Sequence, residues 1–84
     1  MKIYLLKEFA WTPDVVYERA RPRFFLSVEK ARAEFEKVCK DIFAEMQEEY
    51  EEDFKVDQRD DRYICQSDPE AGVEARLLTF ETED

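Results

Sequence analysis

The stretch Ser27–Tyr50, "SVEKARAEFEKVCKDIFAEMQEEY", decides the fold. Ser27 has the side chain of an N-cap, Leu26 precedes it and Glu29 falls in the first turn, where a carboxylate complements the helix dipole. From there Val28, Ala31, Phe35, Val38, Cys39, Ile42, Phe43, Met46 and Tyr50 recur at helical spacing and fall within an arc of about 140°. Neither Gly nor Pro interrupts the run. The spacing predicts one long amphipathic helix from about 28 to about 51, with an apolar stripe that needs a sheet to cover.

The flanking segments read as that sheet. In "KIYLLKEFA" (2–10) the pattern has period two, with an apolar side of Ile3, Leu5 and Phe9 interrupted by Lys7. "WTPD" places Pro13 at the second position of a turn, and "VVYERAR" (15–21) returns as a second strand, which Pro22 ends or distorts. After the helix, "EDFKVDQRDD" (52–61) alternates only at Phe54 and Val56 and reads either as a strand start or as a pinned loop. "RYICQS" (62–67) and "VEARLLTFETE" (73–83) read as strands joined by a turn over "DPEAG" (68–72). Gly72, the only glycine, falls where a left-handed conformation is most useful. The expected fold is α+β, a ββ-α-ββ single domain over residues 1–84 with an antiparallel sheet of about four strands and the helix across one face.

Composition narrows the function. The 84 residues carry 13 cations and 22 anions, a net charge of −9, with 44% apolar and 14% aromatic residues. That is the profile of a folded chain, and its charge repels phosphate, so neither nucleic acid nor an anionic membrane is an expected direct partner. The opening segment is charged and alternating, not the apolar core of a signal peptide, and no apolar run approaches membrane-spanning length. With two separated cysteines, Cys39 and Cys65, the reading is an intracellular, cytoplasmic protein with reduced thiols in its core.

The chemistry that is missing is equally informative. There is no histidine, which removes the commonest general base, the Ser-His and Cys-His dyads and ordinary zinc sites. One glycine cannot make a phosphate-cradling loop. The acids of "DQRDD" (57–61) fail as a calcium loop, since Arg59 and Arg62 occupy positions that need an oxygen ligand and a glycine. No enzyme activity, cofactor or metal is expected.

What remains is charge. "EMQEEYEED" (45–53) places six carboxylates in nine positions. On the helical wheel Glu34, Asp41, Glu45, Glu48 and Glu52 form a ridge beside the apolar arc, roughly 27 Å long at 1.5 Å per residue. Carboxylates in a last turn oppose the macrodipole, so a chain selected for stability alone would carry Lys there. With Asp53 extending the ridge, and with Tyr50 and Trp11 as aromatic anchors, these residues make a candidate partner-binding surface. The partner it fits is the basic surface of a nucleic-acid-binding protein. The competing arrangement for Trp11 and the nearby arginines is internal, with Trp11 closing one end of the core and the arginines pairing with helix acids. A second reading is a structural module dimerising through an edge strand, either "VEARLLTFETE" or "VVYERAR".

"FFLSVEKARAEFEKV" (24–38), after a hairpin opening "MKIYLL", resembles a recurrent pattern in small bacterial and phage proteins: a β-hairpin, an aromatic-x-Ser/Thr-x-Glu-Lys-Ala helix start, then one or two strands. The likeness covers about half the chain and implies a fold; the long acidic helix departs from it. In size, charge and missing chemistry the chain is also similar to phage-encoded inhibitors of host defence, including anti-CRISPR proteins and DNA mimics, a likeness that implies an inhibitor acting by protein binding.

Overall fold

The computed structural model describes residues 1–68 and 71–82. Along the chain run β1 (Lys2–Trp11), β2 (Val16–Phe25), α1 (Val28–Tyr50), β3 (Lys55–Gln58), β4 (Arg62–Asp68) and β5 (Ala71–Glu81). The fold is α+β with one helix on an antiparallel sheet, but the sheet has five strands where the sequence suggested about four. The extra strand is β3, in the ambiguous stretch after the helix. It is held by a partner, with Val56 opposite Cys65 and Gln58 opposite Tyr63. Four residues carry too little local preference to announce a strand without that neighbour.

Strand order is β2-β1-β5-β4-β3, antiparallel throughout. Helix α1 therefore connects the two edge strands and crosses the whole sheet. Its start follows the sequence: the Ser27 hydroxyl accepts from the Lys30 N–H at 3.3 Å, and the Ser27 carbonyl accepts from the Ala31 N–H at 3.0 Å. Its stop does not use glycine. Glu51 takes φ 58°, a left-handed conformation unusual for a side-chain-bearing residue, while its N–H still reaches the Gln47 carbonyl at 2.9 Å.

The core lies between α1 and one face of the sheet. Ala31, Phe35, Val38, Cys39, Ile42 and Met46 meet Leu6, Tyr63, Cys65, Ala75 and Leu77, all buried, with Tyr50 and Phe54 packed at the margin. Two residues of the expected stripe stay outside. Val28 sits at the helix start, and Phe43 is 42% exposed with its ring edge-on to Phe54, centroids 5.5 Å apart.

Two readings of the strands are corrected, and the alternative left open at Pro22 is decided for an edge irregularity. In β1 the side facing the helix is that of Leu6 and Ala10, both buried, so Ile3, Leu5 and Phe9 lie on the opposite face. Pro22 does not end β2, which continues to Phe25; it sits on an edge strand in an irregular stretch of register between the Leu6–Arg23 and Glu8–Ala20 pairs. Gly72 has no positive φ. It lies in β5 opposite Trp11, where a Cβ would come within 2.6 Å of the indole and 2.7 Å of the Cys65 carbonyl oxygen, so glycine is needed there for close approach. The turn read at 68–72 falls partly outside the described residues.

Candidate functional site

The acidic ridge of α1 divides into an internally paired part and an unpaired part. Strand β2 runs alongside the helix and supplies the pairing. Arg23 places Nη1 at 2.8 Å from Glu34 Oε1 and Nη2 at 2.8 Å from Oε2 of Glu8, a largely buried carboxylate on β1. Arg19 is paired with Glu45 in the same way. Glu34 and Glu45 are thus engaged within the fold, as the internal arrangement weighed from the sequence would have it. Glu8, the second partner of Arg23, was missed. The signal was present: Glu8 shares the strand side of Leu6 and Ala10, where a charge requires a counter-charge.

Beyond Glu45 the character changes. Glu48 and Glu49 close the helix, and Glu51, Glu52 and Asp53 follow it; all are exposed, and among the described residues none has a cation within ion-pair distance. Asp41, one turn before Glu45, is exposed and likewise unpaired among the described residues. The last helical turn contains no basic residue. Because α1 ends at Tyr50 and Glu51 reverses the backbone, Glu52 does not prolong the ridge as a straight line. Instead Glu52 and Asp53 turn with the chain and, with Gln47 and Glu51, rim a shallow depression of about 500 Å³, while Glu45, Glu48 and Glu49 rim another of about 410 Å³. The acids form a knob at the helix end.

Next to the knob lies a more enclosed cleft of about 270 Å³. Trp11, Tyr17, Arg19, Glu45, Glu49 and Tyr50 line it, where the β1–β2 turn, the last turns of α1 and the start of β5 converge. The structure thereby brings together Trp11, Tyr50 and Glu45 of the sequence-derived candidates, with Glu48, Glu52 and Asp53 on the adjoining surface. Glu34 and Asp41 stand apart along the helix. Trp11 is partly buried at the end of β1, across from Gly72.

The thiols are not built for reaction. Burial, together with neighbouring Cys65 and Glu36, pushes Cys39 up to about 11 from 9.0. Cys65 is raised by burial, and burial likewise raises Tyr63, which hydrogen-bonds to it. A thiol held neutral is a packing group, not a nucleophile. Among the described residues no cluster of three or more metal-ligating side chains occurs, and no helix is long and apolar enough to cross a membrane.

No protein-family model, characterised protein or solved structure matches the chain.

Proposed function

We propose that this is a non-enzymatic binding protein that occupies a basic, nucleic-acid-binding surface of a partner protein, in the manner of phage-encoded anti-defence inhibitors. The observation that supports this reading is the knob at the end of α1. Glu48, Glu49, Glu51, Glu52 and Asp53 stand exposed, without cations among the described residues, at the helix end where negative charge is least favoured, while the acids facing β2 are neutralised. Unpaired charge held against the dipole is available to a partner. It steers a cationic surface in and competes with phosphate for it, while Tyr50 and Trp11 beside it supply apolar contact.

The test is capture from a bacterial lysate at low and high salt, using the native chain and a Glu48→Gln, Glu52→Gln, Asp53→Asn variant that leaves the Arg19–Glu45 pair intact. The native chain should retain a nucleic-acid-binding protein, release it as salt rises, and displace an oligonucleotide from it; the variant should bind at least about tenfold more weakly. Equal capture by both chains, or capture indifferent to salt, would refute the electrostatic reading.

Of the two segments offered for edge-strand dimerisation, 15–21 falls largely in β2, which is an edge strand. The segment 73–83 falls almost entirely in β5, the central strand, paired on both sides to β1 and β4.

A further inference from the structure

We infer that the face of the sheet turned away from α1 is the interface of a symmetric homodimer, two sheets packed face to face with the helices outside. The cross-strand register lays this face out in rows. Phe24, Leu5 and Leu78 form one row across β2, β1 and β5, and Ile3 with Phe80 forms the next. Phe24 is 68% exposed and Phe80 48%. A contiguous apolar area with two open phenylalanines is the kind that a soluble protein covers.

The extent of the face suits a second copy. With strands about 4.8 Å apart and about 3.3 Å per residue, and with β3 and β4 shorter than the rest, the face spans roughly 670 Å², within the range each partner contributes to a standard-size interface. Charge points the same way. On this face Lys7, Lys55, Arg62 and Arg76 stand against Glu18, Asp57 and Glu74, whereas the chain as a whole carries −9. By this broad surface two such acidic molecules can meet without the repulsion of their net charge.

The rows are also self-complementary. Lys7, Arg76 and Arg62 lie directly opposite one another across β1, β5 and β4, an arrangement unfavourable within one sheet. Buried Glu74 answers the two arginines, with its Oε1 at 2.6 Å from Arg76 Nη2 and 3.3 Å from Arg62 Nε. Among the described residues Lys7 has only the Phe9 ring, 5.1 Å away. The adjacent row is Phe9, Glu74 and Ile64. A twofold axis between these rows, in the interface plane and across the strands, sets each cation row over the other copy's Phe9–Glu74 row and the leucine row over Trp11 and Gly72. That is an isologous contact. The sheet edges offer no comparable route, since β2 carries Pro22 and register shifts and β3 has only four residues, Lys55 and Asp57 among them.

Sedimentation equilibrium over a roughly hundredfold range of concentration tests this on the native chain, on Phe24→Asp with Phe80→Asp, and on Glu48→Gln with Glu52→Gln. The native chain and the helix variant should reach twice the 10.2 kDa monomer mass, and the phenylalanine variant, folded by circular dichroism, should remain monomeric. A native chain that stays monomeric, or a phenylalanine variant that still dimerises, would overturn the inference. So would a native monomer that binds a single-stranded oligonucleotide and loses it on the phenylalanine substitutions, which assigns the face to nucleic acid. Because the helix variant separates the two surfaces, failure here leaves the acidic-knob reading standing.

Discussion

Single positions carry information that residue type alone does not. Glu51 ends α1 at φ 58°, a conformation glycine adopts without steric cost. Glu51→Gly should therefore raise the unfolding free energy by about 0.5–1 kcal/mol, measured by urea titration; a loss of stability would show that the Glu51 side chain makes a compensating contact. Gly72 behaves oppositely. Gly72→Ala places a methyl group against the Trp11 ring and the Cys65 carbonyl, with an expected cost of about 1–3 kcal/mol and a shifted Trp11 emission. The sequence marks Gly72 as special but not why, because the reason is a tryptophan sixty-one residues away. Cys39 gives a pH test. With its folded pKa raised to about 11 from 9.0, the thiol ionises first in the unfolded chain, so its contribution is full below pH about 9 and is lost as pH rises towards about 11. Melting temperatures across that window should fall less steeply for Cys39→Ala than for the native chain; parallel curves would place the loss elsewhere.

At the scale of elements, α1 was the most legible part of the chain, because a capping serine, an unbroken apolar period and the absence of Gly or Pro all agree. The period did not separate residues at the centre of the stripe from those at its margin. Phe35 is 3% exposed and Phe43 42%. Phe35→Ala should cost about 3–5 kcal/mol and Phe43→Ala markedly less, read from denaturant midpoints. Strand β1 was misread as to side because both of its faces carry apolar residues, and alternation cannot say which one a helix will cover. The acidic ridge was legible as charge, and pairing with the hairpin arginines as one of two arrangements, but not which acids pair: Arg19 and Arg23 reach Glu45 and Glu34 because β2 lies beside α1. Glu48→Lys with Glu49→Lys should complement the dipole and raise stability by about 0.3–1 kcal/mol each at low salt, with the gain shrinking at high salt.

For the whole molecule, the order of the sheet was the least legible feature. Adjacent segments pair readily, and the hairpin of β1 with β2 follows from Pro13 and two alternating runs. The pairing of β1 with β5 joins residues as far apart as Lys2 and Glu81, and no local pattern encodes it. It places the most buried strand of the sheet late in the chain. With a net charge of −9, the folded molecule is under self-repulsion that added salt screens, so its melting temperature should rise from low to moderate ionic strength; a fall would mean that the Arg23 and Glu74 ion pairs outweigh the excess acid.

The same topology has a consequence during synthesis. Fifty-nine residues separate the end of β1 from the start of β5, which at ribosomal rates of about 5–20 residues per second is a wait of roughly 3–12 s. The β1–β2 hairpin closes in microseconds, so for those seconds the other side of β1 is a bare hydrogen-bonding edge on a nascent chain. Pausing anywhere between Thr12 and Glu70 lengthens that exposure, during which the edge is open to pairing with another chain.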